Sequence, residues 1–186
     1  MKNPQTRSDL IEQIQEIESG LAATVLKIAP DQFDNGTSQA WSAASYLKHL
    51  ILSVKPFAKA LALPHEQVQT TFGQPSQPSR SYEALVAAYK KRLDEGVKAE
   101  DFQTITPVGY RFPDGVEDVK AYLVDVWNES NQRLIQALEG WTDEDLDKYQ
   151  LPHPALGLLT LREMLFFTVY HNALHWYDIQ AASGLQ

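Results

Sequence analysis

Apolar side chains recur every three or four residues along most of this chain, and this spacing constrains its fold more than any other feature. Such a period places the side chains on one face of an α-helix. Similar stripes predict helices that begin near residues 42, 81, 114 and 160, the last of them extending to about Ala182. The first stripe predicts a helix over residues 7–29 and consists of Leu10, Ile14, Ile17, Leu21, Val25 and Ile28.

Capping residues and a proline indicate where some of these helices begin and end. Ser42 stands where an N-cap belongs, and Thr160 with Glu163 forms the capping-box pattern of the last helix. We predict that Asp114 caps the start of the long helix that precedes this last helix. Pro56 has no backbone N–H, so the helix that follows Ser42 is expected to kink or end there.

The segments between the stripes are expected to be irregular. Residues 64–80 are rich in proline, glutamine and serine, which predicts a crossover without a core element. Residues 104–115 contain two prolines and two glycines and are predicted to be an extended loop with slight strand character. Residues 151–157 are predicted to be a loop after one helical turn at 142–146. No set of strands alternates with the helices, so a parallel α/β sheet is disfavoured.

These patterns predict an all-α protein, an antiparallel four-helix bundle with an extra helix and long crossover loops. The extra helix is the stripe at residues 81–97. The whole chain, residues 1–186, is expected to form one domain, because its length is typical of one.

The composition disfavours several classes of function. There is no cysteine, so disulfide bridges, thiolate zinc sites and cysteine nucleophiles are excluded. The 16 basic and 24 acidic residues give a net charge of −8, which disfavours binding to nucleic acid and to anionic membranes. No apolar run approaches the ~18 residues that cross a bilayer, and the first ten residues do not resemble a signal peptide. A cytoplasmic protein is expected.

The five histidines carry the main functional information. His171 and His175 are four residues apart in a strongly helical segment, so both rings lie on one face and can reach one cation about 2 Å from each nitrogen. A third ligand must come from another helix, and His49 is the natural choice because it lies in the middle of one. His65 and His153 lie beside prolines in predicted loops, which are less suited to first contact with a cation.

Particular residues bear on other interpretations of these histidines. A pair four apart also arises by chance on helix surfaces, and a histidine such as His49 beside an apolar stripe is often a core residue. A zinc protease of the H-E-x-x-H type needs Glu directly after its first histidine, where this chain has Asn172. A ferritin-like di-iron site needs Glu three residues before its histidines, and neither His171 nor His175 has one.

Three landmarks occur in order along the chain. Trp41–Ser42 precede a helix that carries His49 and then Leu50, in a W-S…H-L pattern. The segment LPHPALGLLTLREML, residues 151–165, contains an H-P-x-x-G-x-x-T pattern, and the H-x-x-x-H pair follows it. Together they resemble the DinB-like metal-binding four-helix-bundle family, which includes thiol-dependent S-transferases.

This resemblance implies a bundle in which His49, His171 and His175 bind one divalent cation, with a low-molecular-weight thiol as a further cofactor in the transferases. Histidine sites of this kind accept zinc, nickel and other ions, and zinc or nickel is expected here. Two features depart from the family pattern. Asp178 stands where many members have Gln, and the insertion at residues 64–115 is longer than in the simplest members.

Three histidine ligands leave coordination positions open, which is typical of catalytic sites. We therefore predict a mononuclear metal-dependent enzyme that acts on a small molecule, as a thiol-dependent S-transferase. The alternatives are a metal-dependent hydrolase and a non-catalytic metal-binding bundle. An open pocket at the metal favours an enzyme, and a closed site favours the bundle without activity. Residues near the site by spacing alone, without assigned roles, are Tyr46, Tyr170, Asn172 and Asp178.

A homodimer is also expected. The resemblance implies it, and Trp127, Trp141 and Trp176 add aromatic surface that a four-helix core need not bury completely.

Overall fold

The computed structural model describes residues 3–37 and 40–185, which are mostly helical. Short 3-10 turns at Ala99–Asp101 and Pro107–Gly109 lie in the long connection between the fifth and sixth helices. The all-α class predicted from the sequence is confirmed. In chain order the remaining elements are α1 (Arg7–Lys27), α2 (Pro30–Phe33), α3 (Ala43–Leu61), α4 (His65–Phe72), α5 (Tyr82–Asp94), α6 (Val119–Leu138), α7 (Asp145–Lys148), β1 (Gln150–His153), β2 (Gly157–Thr160) and α8 (Leu161–Ala182).

The four long helices α1, α3, α6 and α8 form the bundle, and α5 packs against α8. Both α1 and α3 pack against α6 and α8. Lys120, near the start of α6, donates a hydrogen bond of 2.9 Å to the carbonyl of Ile28 just beyond the end of α1. The two helices are therefore antiparallel. Trp176, in the second half of α8, donates to the hydroxyl of Thr24 in the second half of α1, so these two helices are parallel.

The directions of α3 and α8 decide how the histidines meet. Along α3, Tyr46 lies beside His175, whereas His49, three residues later, lies 3.0 Å from His171, four residues earlier in α8, so these helices are antiparallel. Trp141, which follows α6, donates to the carbonyl of Leu61 at the end of α3, so α3 and α6 run the same way. The bundle thus consists of two parallel pairs in opposite directions, α1 with α8 and α3 with α6.

The helix starts are capped mostly as the sequence predicts. The side chain of Ser42 accepts the backbone N–H of Ser45 at the start of α3, and Thr160 with Glu163 forms a complete capping box at the start of α8. The predicted cap at Asp114 is wrong, because α6 begins four residues later, after Asp118. Gly115 lies between them with φ of 80°, a conformation outside the right-handed helical region.

Two further predictions for connecting segments are wrong. Residues 64–80 contain a short helix, α4, whose Val68 is buried. Residues 151–157 are not a loop but most of an antiparallel hairpin, in which Leu151 pairs with Leu159. Of the two outcomes predicted at Pro56, a kink or an end of the helix, the end does not occur, because buried Phe57 and Leu61 continue the apolar face of α3. Residues 104–115 contain a 3-10 turn and no strand.

The core is continuous among the four long helices and extends beneath the hairpin. Trp127 and Trp141 are completely buried within the chain, and the indole of Trp176 packs over Gly20. The burial of Trp127 and Trp141 removes these two residues from the aromatic argument for a homodimer, whereas Trp176 is partly exposed. The homodimer stays a prediction. No helix in the described ranges combines the length and the apolar character needed to cross a bilayer.

Candidate metal centre

Two antiparallel helices bring three histidines together near the middle of the bundle. His49 comes from α3, and His171 and His175 come from successive turns of α8. One ligand nitrogen from each lies within 4.8 Å of the other two. The ring centroids are 4.5 to 5.1 Å apart. The predicted triad therefore forms one cluster, contributed by the two helices that the sequence indicated.

The separation of the ligand nitrogens fits a shared cation. The Nε2 atoms of His49 and His171 are 3.0 Å apart. Two imidazole nitrogens at about 2.1 Å from one ion lie about 3.0 Å apart when they subtend a right angle, and somewhat further apart in a tetrahedral site. His175 supplies the third ligand atom, and a cation held by three protein ligands would keep coordination positions for water or substrate.

Hydrogen bonds orient two of the rings toward the centre of the cluster. His49 donates from Nδ1 to the backbone carbonyl of Ile105 at 2.7 Å. His175 donates from Nδ1 to the carboxylate of Asp178 at 2.7 Å. Because Nδ1 carries the proton in each ring, Nε2 keeps a lone pair for a cation. Asp178, to which spacing alone assigned no role, is thus a hydrogen-bond partner of a ring in the cluster.

Burial favours the neutral form of two rings of the cluster, those of His49 and His171. His49 and His171 are almost fully buried. Burial lowers the pKa of His49 to about 4 and lowers the pKa of His171 well below its usual range. A neutral imidazole binds a cation without first losing a proton. Nδ1 of His171 and Oδ1 of Asn172 are buried and make no well-formed hydrogen bond within the described residues.

A cavity of about 870 Å³ opens beside the three histidines, all of which lie in its lining. This volume is within the range of small-molecule sites. Its lining is largely apolar and includes side chains of α3, α5, α8, the hairpin and the connection between α5 and α6. Among the lining residues are Trp41, Phe57, Tyr89, Phe102, Met164 and Phe167.

The two remaining histidines lie outside the cluster, as the sequence predicts. His65 begins α4 and stacks on the indole of Trp141 at 3.8 Å. His153 ends β1 and lines the cavity, where the centroid of its ring lies 4.2 Å from the centroid of the Phe167 ring. The prediction that His153 lies in a loop is wrong, and its place in the cavity lining was not anticipated.

The residues singled out by spacing have different surroundings. The ring of Tyr46 lies 5.2 Å from the ring of His175, and both Tyr46 and Asn172 line the cavity. Burial raises the pKa of Tyr46. Tyr170 contacts Tyr89 and lies under Lys90, away from the lining of the cavity.

Sequence reasoning missed the parts of the site that come from connections. The carbonyl of Ile105 orients His49, yet Ile105 lies in a segment with no helical or strand pattern. The hairpin and the residues around Ala99 likewise close the cavity from segments distant in sequence. The H-P-x-x-G pattern was the available signal for the hairpin, because it ends in a glycine with φ of 76° at the start of β2.

Comparison with known proteins agrees with this arrangement. A family model described as the DinB superfamily matches residues 11–179, which is most of the chain and includes all three histidines of the cluster. No curated protein matches the chain.

Proposed function

The chain belongs to the DinB superfamily, and from that premise we propose that it is a mononuclear metalloenzyme that acts on a small molecule. His49, His171 and His175 would bind one divalent cation, zinc or nickel. The observation that carries the proposal is the position of this cluster in the lining of a large cavity. A structural metal site is normally closed by four protein ligands, whereas a catalytic site keeps a position for water or substrate.

The reaction we propose is transfer to a low-molecular-weight thiol. In such a transfer the thiol sulfur forms a bond to an electrophilic carbon, the leaving group takes the electron pair of the broken bond, and the thiol proton passes to water. A bound cation supplies Lewis acidity, which lowers the pKa of a thiol or water at the site. Support comes from the family and from the cavity beside the cluster, whose lining includes all three histidines.

The chain's own residues would orient and shield the reacting groups. Ile105 and Asp178 hold the rings of His49 and His175 in fixed positions through their Nδ1 protons. The largely apolar lining of the cavity favours an apolar substrate. The small-molecule substrate predicted from the sequence would therefore enter this cavity.

Cobalt(II) substitution tests the proposal. After the protein is loaded with cobalt(II), 2-mercaptoethanol should produce the near-ultraviolet band of a sulfur bound to the ion, because a position is open. The loaded protein should also accelerate consumption of the thiol by 1-chloro-2,4-dinitrobenzene. His171→Ala should lose both responses.

The alternatives predict different results. A cobalt spectrum that the thiol does not change would indicate a closed site and a non-catalytic bundle. A spectrum that changes without thiol consumption, together with metal-dependent ester hydrolysis, would indicate a hydrolase.

A further inference from the structure

His153 is a buried polar residue of the cavity that the metal cluster does not use. It is 7% exposed and lies at the end of β1. The Phe167 ring lies between His153 and the cluster. Its centroid is 4.2 Å from the ring centroid of His153 and 4.7 Å from that of His171. His153 therefore lies one aromatic ring away from the metal centre, along the lining of the same cavity.

The hairpin fixes which nitrogen of His153 carries the proton. Nδ1 accepts the backbone N–H groups of Ala155 and Leu156, each at 3.2 Å. A nitrogen that accepts two hydrogen bonds has no proton of its own. In the neutral ring the proton is then on Nε2, which is a donor. Burial lowers the pKa of His153 to about 4, so the ring is neutral near pH 7.

The donor at Nε2 makes no hydrogen bond with the described residues. His153 lies in the lining of the cavity, so this donor is accessible to a molecule there. The residues around His153 offer little to pair with, since the neighbouring lining is apolar and includes Leu151, Met164 and Phe167. Nε2 of His153 therefore offers a hydrogen-bond donor to a molecule in the cavity, within a largely apolar part of the lining.

The surroundings also restrict the charge of that ligand. Lys98 and Glu100 are the charged residues of the described lining, and both are exposed at the surface. A carboxylate placed beside neutral His153 would be buried without a counter-charge, which is costly. An uncharged carbonyl oxygen accepts one hydrogen bond at no such cost.

We propose that His153 is a specificity residue that donates from Nε2 to an uncharged carbonyl oxygen of a mostly apolar substrate. This inference rests on the proposed function, because the reacting end of that substrate would lie at the histidine cluster. The substrate class is then an apolar carbonyl compound. Its carbonyl oxygen would lie beside His153 and its reacting carbon at the histidine cluster, on opposite sides of the Phe167 ring.

Two variants separate the donor from the structural role of the ring. In His153→Asn the side-chain oxygen can still accept the N–H of Ala155 and keep the turn, since asparagine before proline favours this geometry. It has no group at the position of Nε2. In His153→Gln the amide nitrogen reaches about as far as Nε2 and keeps a donor.

The first experiment uses straight-chain hydroxamates, which bind metal ions at one end, as probes of the zinc-loaded protein. Each probe with a ketone at a given distance along the chain is compared with its methylene counterpart. One ketone position should bind about 2- to 10-fold more tightly than its counterpart, which is the net contribution of one hydrogen bond. His153→Asn should abolish this preference and His153→Gln should keep part of it, with the zinc content unchanged in both.

The second experiment does not need the metal. In chelator-treated protein labelled with ¹⁵N-histidine, the signals of His153 are identified by their loss in His153→Asn. Cyclohexanone should shift the Nε2 signal of His153, and methylenecyclohexane, which has the same shape without the oxygen, should not.

The outcomes distinguish this inference from the proposed function. Hydroxamates that bind without ketone preference, or a preference unchanged in His153→Asn, would overturn the role of His153 and leave the metal site intact. If no hydroxamate binds because zinc is not retained, the proposed function fails. The cyclohexanone shift then supports the role of His153, and its absence overturns it.

Discussion

His175 and Asp178 lie one turn apart on α8, and Nδ1 of the histidine donates a hydrogen bond of 2.7 Å to the carboxylate of the aspartate. The bond directs Nε2 of the ring toward the nitrogens of His49 and His171. It also places a negative charge behind the ligand, which makes the imidazole a stronger donor to a cation. Asp178 stands where many family members have Gln, and through this hydrogen bond it takes part in the site.

Replacing this aspartate should weaken metal binding. We expect Asp178→Ala to lower zinc affinity about 10- to 100-fold, because the ring loses both its orientation and its charged partner. A competition titration with a chromophoric chelator measures the effect. Asp125→Ala, at an exposed position of α6, is the matched control and should bind zinc as the parent does. Equal affinity for Asp178→Ala and the parent would exclude a role for this hydrogen bond.

The close approach of α1 and α8 depends on a residue without a side chain. A Cβ atom at Gly20 would lie 2.2 Å from the Trp176 indole. Ala normally stabilises a helix interior relative to Gly by about 1 kcal/mol, yet Gly20→Ala should destabilise the protein by about 1–3 kcal/mol because the indole must move. Urea unfolding measures the difference.

Gly140→Ala is the control for this substitution. An added Cβ there would meet the carbonyl of Ala137 at 3.6 Å, an ordinary contact. Its free energy of unfolding should stay close to that of the parent. A stabilised Gly20→Ala variant would show that the two helices pack differently.

Glu163 connects the capping box of α8 to the segment before α5. Its carboxylate accepts the backbone N–H of Thr160 and both the backbone N–H and the guanidinium of Arg80. Glu163→Gln replaces one acceptor oxygen with a donor, so at least one buried bond is lost. We expect a loss of about 1.5–3 kcal/mol in unfolding free energy.

An exposed glutamate provides the comparison. Glu129 pairs with Arg133 four residues later on the surface of α6, and Glu129→Gln should change the free energy of unfolding by less than about 0.5 kcal/mol. Similar effects of the two substitutions in thermal or urea unfolding would contradict the structural role of Glu163.

The buried histidines should make the metal-free protein sensitive to acid. His153 has a pKa of about 4 when folded, below the ordinary value near 6.5, so between these values the unfolded chain binds a proton that the folded chain does not. The free energy of unfolding should therefore fall as the pH decreases from about 6.5 to about 4. His153→Asn should reduce this slope by up to about 1.4 kcal/mol per pH unit. Equal slopes for the variant and the parent in urea unfolding would show that His153 is protonated in the folded state.

The parts of the site that lie on helices could be predicted from the sequence. The four-residue spacing of His171 and His175 fixes their common face whatever the rest of the chain does. His49 was identified because its position in a second helix made it available to the same bundle. Local spacing also suggested Asp178, and a helix turn is enough to bring it to His175.

The parts supplied by connections could not be predicted, because they depend on tertiary packing. The carbonyl of Ile105 reaches His49 only after the connection between α5 and α6 folds over α3. Leu151 and Leu159 pair across the hairpin and are buried. Proline lies on both sides of His153 at the end of β1. The prolines indicated a loop, but a two-stranded hairpin tolerates them at positions where no ladder N–H is needed. The cavity exists only where these segments meet.

Metal content tests the central claim most directly. Protein stripped with a chelator, reconstituted with zinc or nickel and desalted should retain about one ion per chain when measured by plasma mass spectrometry. His49→Ala, His171→Ala and His175→Ala should each lose most of the ion, whereas His65→Ala, whose ring stacks on Trp141 outside the cluster, should keep it. Full occupancy in the three cluster variants, or a parent protein that retains neither metal, would contradict the account.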